Sequence, residues 1–105
     1  MTTMQEQKTL QMESIARTMT NMLHECNPYA DDAIIRYAVL TPENIETIPD
    51  FHRRYHGLMV GCEYFLIYEK QKSGYPDYLL YAINVTADAP LTAVEELMRT
   101  VAAKF

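Results

Sequence analysis

Two short apolar runs on either side of a turn-forming loop constrain this fold more than any other feature of the sequence. The runs, at about residues 63–70 and 78–86, are rich in aromatic and β-branched side chains and too short for good helices. Between them, Gly74 can adopt a positive φ and Pro76 cannot donate a ladder hydrogen bond. The sequence therefore predicts a β-hairpin whose loop is longer than the tight two-residue kind.

Alternation along the hairpin strands predicts two distinct faces, because successive side chains of a strand point in opposite directions. On the second strand, the core-like face would hold Leu79, Tyr81, Ile83 and Val85. The mixed face of that strand would hold Tyr78, Leu80, Ala82 and Asn84. A similar mixed row on the first strand consists of Tyr64, Leu66 and Tyr68. Neither face is plainly polar, so either helices cover both or one tyrosine-bearing face meets a partner.

Amphipathic patterns predict a helix at each end of the chain. Over about residues 4–26, apolar side chains recur at steps of three and four: Met12, Ile15, Met19, Met22 and Cys26. A second stripe, over about residues 90–104, follows the helix-start signal Asp88-Ala89-Pro90 and is completed by Phe105, whose removal should destabilise the protein. We interpret the first stripe as packing on the sheet. The alternative is an adaptable docking or dimerisation surface, because thioethers repack easily.

The middle of the chain carries mixed signals. Residues 33–40 have strand composition, although Pro28 and the acids at positions 31 and 32 would also suit a helix start. We predict a strand, because a hairpin alone makes a marginal sheet. Thr41-Pro42 then signals a short helix, and a helical piece after Pro49 carries Phe51, Tyr55, Leu58 and Met59 at helical spacing. The predicted fold is α+β, one domain over residues 1–105, with a small antiparallel sheet packed by the terminal helices.

Charge and composition argue against several classes of protein. Nine Lys and Arg against 14 Asp and Glu give a net charge of -5, which disfavours a general binder of nucleic acids or anionic membranes. Residues 1–10 lack the apolar core of a signal peptide, and no apolar run is long enough to span a membrane. We therefore expect a cytoplasmic protein without membrane association or direct nucleic-acid binding, whose Cys26 and Cys62 are reduced.

The predicted order of helix, three strands and helix resembles the double-stranded RNA-binding domain in outline. In that domain, lysines at the start of the last helix hold the phosphates of the RNA. Residues 90–96 of this chain contain two glutamates and no lysine. The resemblance is therefore confined to the order of the elements and implies no RNA binding.

The densest group of chemically active side chains is the locally basic segment over residues 51–56. Helical spacing would place His52 and His56 on one face, where they could supply two metal ligands. By residue type alone, a third ligand could come from His24, Cys26, Cys62 or Glu63. We predict ordinary histidines here, with no metal and no other cofactor. Arg53 and Arg54 could bind an anion or an acidic partner, but we favour pairing with the chain's own carboxylates.

No pattern of residues indicates a catalytic site, because the cysteines, histidines and acids are scattered and the chain has only three glycines. Two functional hypotheses follow. The first is a non-enzymatic interaction or regulatory protein that self-associates as a homodimer or other homo-oligomer and docks on a basic surface, such as that of a nucleic-acid-binding protein. The second is a small-molecule or anion-binding, weakly catalytic domain that uses the segment between His52 and His56.

The tyrosine-bearing face of the hairpin is the predicted contact surface. The two terminal helices suffice to cover the core-like face, and no comparable element remains for the other face unless the segment around His52 folds over it. The predicted contact residues are Tyr64, Leu66, Tyr68, Tyr78 and Leu80. The residues that would contact an anion or a partner in the basic segment are His52, Arg53, Arg54 and His56.

Overall fold

The protein has an α+β fold built on a three-stranded antiparallel sheet, as the sequence predicted. The computed structural model describes residues 3–27, 29, 31–75, 77–85 and 90–104. In chain order its elements are α1 (Met4–Cys26), β1 (Ala33–Val39), a 3-10 turn (Ile45–Thr47), α2 (Asp50–His56), β2 (Glu63–Glu69), β3 (Tyr78–Val85) and α3 (Pro90–Lys104). The strands lie side by side in the order β1-β2-β3. The predicted third strand is therefore present as β1.

Some sequence predictions fall outside the described residues. They concern the turn signals at Pro28 and Pro76, the end of the second hairpin strand at Thr86, the helix start at Asp88-Ala89, and Phe105. The predicted effect of removing Phe105 stays a prediction.

α1 and α3 cover one face of the sheet. The buried residues beneath them are Met12, Ala16, Ile35, Tyr37, Phe65, Ile67, Ile83, Val85, Ala93 and Leu97, and Ile15 and Met19 pack against this cluster. Phe65, Ile67 and Leu97 are fully shielded from solvent. The interpretation of the α1 stripe as a packing face is thus confirmed for its first half, whereas Met22 and Cys26 near its end are exposed.

Side chains from other elements cap the free edge of β1. The hydroxyl oxygen of Thr20 on α1 accepts the backbone N–H of Ile35 at 2.9 Å. His24 Nε2 donates to the carbonyl of Ala33 at 2.7 Å, and Asn44 Nδ2 donates to the carbonyl of Val39 at 2.9 Å. Bonds of this kind hinder the pairing of another strand with the edge, because they occupy backbone groups that the strand would use.

The segment between β1 and β2 covers the second face of the sheet, which the sequence predicted to be open unless this segment folded over it. A cluster of buried residues forms there from Leu40, Ile48, Leu58, Tyr64, Leu66, Tyr68 and Leu79. The hydroxyl oxygen of Tyr64 accepts the backbone N–H of Met59 at 3.1 Å, which ties the segment to β2. The tyrosine face is therefore covered, which is the exception that the sequence analysis left open.

A bulge in β3 changes which residues share a face. Ile67 pairs with Tyr81, but the next residue of β2, Tyr68, pairs with Leu79, so Leu80 is the extra residue. Leu79 consequently packs in the second cluster, and Leu80 packs against the residues beneath α1 and α3. The predicted alternation holds for Tyr81, Ile83 and Val85 but is wrong for Leu79 and Leu80.

α2 is a short helix that ends at His56. Gly57 follows it with φ 64, a left-handed conformation that favours glycine, and its N–H bonds back to the carbonyls of Arg53 and Arg54. The predicted helix after Thr41-Pro42 is reduced to turns and the 3-10 segment Ile45–Thr47. Gly61 lies in the turn before β2.

Candidate interaction surface

Three exposed rings form an aromatic patch where α2 meets the start of β3. We define this aromatic patch as Phe51, Tyr55 and Tyr78, which are 65%, 77% and 46% exposed. Phe51 and Tyr55 are four residues apart on α2, and their rings stack with centroids 6.2 Å apart and an interplanar angle of 20°. The stacking holds two large side chains in one orientation while leaving most of their surface accessible to solvent.

Two histidines attach α2 to β3 beneath this patch. His52 is buried, and its ring meets that of Tyr78 edge to face at 4.7 Å. His56 Nε2 donates to the carbonyl of Leu79 at 3.2 Å, and the His56 ring lies 5.0 Å from that of Tyr55. The four-residue spacing does place both histidines on the sheet-facing side of α2, where they hold the helix on β3.

Burial governs the protonation of His52. Desolvation lowers the pKa of its imidazole, and the nearby His56 lowers it further. Its Nδ1 atom is buried without a hydrogen-bond partner in the described part of the chain. The neutral ring is therefore the form that fits this site, because burial removes the solvent that would stabilise a charged ring.

The two arginines of α2, Arg53 and Arg54, both form ion pairs with the carboxylate of Asp50. Asp50 Oδ1 lies 3.6 Å from Arg53 Nη2, and Asp50 Oδ2 lies 2.9 Å from Arg54 Nε. These contacts agree with the interpretation that the arginines pair within the chain. The Arg54 side chain is 82% exposed, and surface pairs of this kind contribute about 0–1 kcal/mol.

Most of the contact residues predicted on the hairpin lie in the interior. Tyr64, Leu66 and Tyr68 are buried under the segment between β1 and β2, and Leu80 is half-buried on the opposite side of the sheet. These four residues offer no open contact surface, because other parts of the chain cover them. Tyr78 alone of the five belongs to the aromatic patch.

Sequence reasoning noted Phe51 and Tyr55 as apolar residues at helical spacing and did not identify the two rings as an exposed pair. α2 buries His52 in their place, because the ring of that residue packs against Tyr78. The sequence did contain a signal that another pair could face the sheet: His52 and His56 have the same four-residue spacing and each follows directly after Phe51 or Tyr55. Of these four residues, the seven-residue helix α2 buries only His52.

Two of the four side chains that were considered as a third metal ligand, His24 and Glu63, are engaged elsewhere. Glu63 accepts the hydroxyl of Tyr37 at 2.7 Å and the ammonium of Lys8 at 3.0 Å. Burial, with the hydrogen bond to Glu63, raises the pKa of Tyr37, so its hydroxyl keeps the proton it donates. Within the described ranges, no three His, Cys, Asp or Glu side chains come together in a way that could hold a metal ion.

An apolar groove lies between the ends of α1 and α3, on the other side of the sheet from the aromatic patch. It has a volume of about 270 Å³ and is lined mainly by Met19, Met22, Leu23, Cys26, Met98 and Val101. Its lining includes Met22 and Cys26, the exposed end of the α1 stripe. Among the described helices, none combines the length and apolar character needed to cross a membrane.

Comparisons with known proteins return no match, whether to models of protein families, to curated proteins or to solved structures.

Proposed function

We propose that this chain is a non-enzymatic interaction module that binds a protein partner through the aromatic patch. The observation that carries the proposal is the exposure of three rings, Phe51, Tyr55 and Tyr78, in one fixed arrangement. Aromatic side chains contribute a large contact area at a low cost in conformational entropy and are enriched at binding hot spots. Solvent-exposed rings on a packed helix are therefore a ready anchor for a partner.

The partner that fits best presents lysine or arginine side chains among apolar ones. The net charge of -5 attracts a basic protein at long range and accelerates encounter. At contact, the faces of Phe51 and Tyr55 attract cations through their ring quadrupoles. Asp50 is shared by Arg53 and Arg54, which reduces the local positive charge that would oppose such a partner.

The polar groups around the patch support binding over catalysis. His56 donates to the carbonyl of Leu79, and Arg53 and Arg54 pair with Asp50. His52 is buried, with its ring against that of Tyr78, so little of its surface is accessible to a substrate. These side chains bond to the protein itself and hold the helix in place. A general acid or base has to contact its substrate directly.

The test is partner binding by a variant that lacks the two stacked rings. The immobilised chain captures proteins from an extract of the cells that express it, and each captured protein is purified and titrated by calorimetry. Phe51→Ser/Tyr55→Ser should weaken the affinity at least tenfold without unfolding the protein, as circular dichroism would verify. Tyr29→Ser is the matched control, because Tyr29 is 97% exposed and makes no ring contact with the patch. Equal affinity of the double variant and the wild type would refute the proposal.

A further inference from the structure

The two free edges of the sheet differ in how their backbone groups are satisfied. On β1, side chains from Thr20, His24 and Asn44 cap the edge. On β3, His56 caps only the carbonyl of Leu79, at the beginning of the strand. Further along β3, the structure gives no such cap for Ala82 or Asn84 among the residues it describes.

The capping of Ile35 fixes which backbone groups of β3 point outward. The N–H of Ile35 bonds to Thr20 and therefore points away from β2. Ile35 lies opposite Ile67, so the backbone groups of Ile67, and those of Phe65 two residues away, point towards β3. Phe65 pairs with Ile83, and Ile67 pairs with Tyr81. The intervening Ala82 and the following Asn84 therefore direct their N–H and carbonyl groups to the free edge. An unpaired edge of this kind is a template for another strand.

We propose that a second copy of this chain adds to the free edge of β3 and forms a six-stranded sheet across a two-fold axis. The interface goes beyond the proposed binding of a partner and uses different residues from the aromatic patch. A two-fold axis requires antiparallel pairing of β3 with itself, so the same surface must complement itself. Two features of β3 and α3 meet that requirement.

The first feature is the position of the bulge. Regular pairing of β3 begins after Leu80, and the regular stretch from Tyr81 to Val85 has Ile83 at its centre. With the axis at Ile83, Ala82 of each copy lies opposite Asn84 of the other. The outward-directed N–H and carbonyl groups of both residues can then form hydrogen bonds across the axis. The side chains at these positions are small or polar, and Asn84 is exposed, so the approach is not blocked.

The second feature is a pair of opposite charges on α3, Glu96 and Arg99, which lie near β3. Tyr81, on the helix-covered face of β3, borders an open groove of about 340 Å³ together with Glu96, Arg99, Thr100 and Ala103 of α3. Neither Glu96 nor Arg99 forms an ion pair with another residue in the described ranges. Across the axis, Glu96 of one copy would face Arg99 of the other, and the reverse contact would form at the same time.

The decisive variant removes the outward N–H of β3 while keeping its pairing with β2. Asn84→Pro does this, because proline is tolerated on an edge strand when its missing N–H would face solvent. Asn84→Ser is the matched control, since it changes the side chain and keeps the N–H. Light scattering should give twice the 12.2 kDa of one chain for the wild type and the Ser variant, and a single chain for the Pro variant. A monomeric wild type at 100 µM, or a dimeric Pro variant, would overturn the proposal.

Cross-linking tests the register independently and does not require the proline variant to fold. In a chain with Cys26→Ser and Cys62→Ala, Ala82→Cys and Asn84→Cys are made separately and then mixed. The mixture should form disulfide-linked dimers on oxidation, because opposed residues have Cα atoms about 5.5 Å apart. Each variant alone should not, because its two copies of the same position would be separated by about 8 Å, beyond disulfide reach. Cross-linking of either variant alone, or none in the mixture, would rule out this register.

A charge reversal tests the contribution of α3. Glu96→Arg and Arg99→Glu should each weaken dimerisation at least threefold, because like charges then meet across the axis, and the double variant should restore it. Additive weakening in the double variant would contradict the ion-pair contact. Partner binding is measured on the same proteins: a monomer that still binds its partner refutes only the dimer, and a dimer that binds no partner refutes only the proposed function.

Discussion

The hydroxyl oxygen of Thr20 on α1 accepts the backbone N–H of Ile35 on β1 at 2.9 Å. This bond joins the first helix to the sheet and satisfies a polar group at an edge strand. Thr20→Val keeps the shape of the side chain but leaves the N–H of Ile35 without this acceptor, so we expect a loss of about 1–3 kcal/mol in the free energy of unfolding. Urea denaturation would measure the loss. Thr18→Val is the control, because Thr18 is exposed on the same helix, and an equal loss in both variants would show that the Thr20 bond is unimportant.

The stability of the protein should fall in mild acid because of His52. Its pKa in the folded protein is lowered from the ordinary value of 6.5, mainly by burial and further by His56. The unfolded chain therefore takes up the proton first, so the stabilisation is complete above about pH 6.5 and is lost as the pH falls through the lowered pKa. His52→Phe removes the titrating group and should flatten the decrease in unfolding free energy between pH 7.5 and 5.0. An unchanged pH dependence in this variant would contradict the assignment.

Leu97 should be among the most sensitive positions of α3, because it is fully buried against the sheet. Leu97→Ala should cost about 2–5 kcal/mol through lost burial and the cavity it leaves. Its neighbour Met98 is 53% exposed, so Met98→Ala should cost under about 1 kcal/mol. Thermal and urea unfolding of the two variants would measure the contrast, which should disappear if α3 does not pack on the sheet.

Tyr68 should act in folding and not in partner binding. It is 9% exposed, and its ring lies 5.4 Å from the guanidinium carbon of Arg36. Tyr68→Ser should lower the free energy of unfolding by about 3–5 kcal/mol, as large-to-small changes of buried aromatic residues do. Tyr75→Ser, in the exposed hairpin loop, should change it by less than about 0.5 kcal/mol. A stable Tyr68→Ser protein with weakened association would instead support the contact surface predicted from the sequence.

The sequence predicted those parts of the fold whose residues repeat with a clear period. The hairpin, the strand from Ala33 and the two terminal helices show such patterns, and the structure contains all of them. The burial of Tyr64 and Leu66 was missed because the residues that cover them have no shared period. Leu40, Ile48 and Leu58 lie outside the regular helices and strands, in separate parts of the chain, and only the folded chain brings them together.

The bulge at Leu80 could not be predicted from the alternation of side chains along the strand alone. Nothing in the run of apolar residues from Tyr78 to Val85 marks where one residue is inserted, because each neighbour of Leu80 suits a strand equally well. The insertion exchanges the faces of Leu79 and Leu80. For the same reason, strict alternation assigns residues on one side of the bulge to the wrong face of the sheet.

The caps on β1 have a consequence for how far the sheet can grow. A sheet with two open edges can recruit strands on both sides and extend into a fibril, whereas on β1 side chains already bond to outward backbone groups of Ala33, Ile35 and Val39. A strand that joins at β3 uses the more open of the two edges. Thr20, His24 and Asn44 thereby oppose the addition of a strand at β1, which disfavours growth of the sheet in both directions.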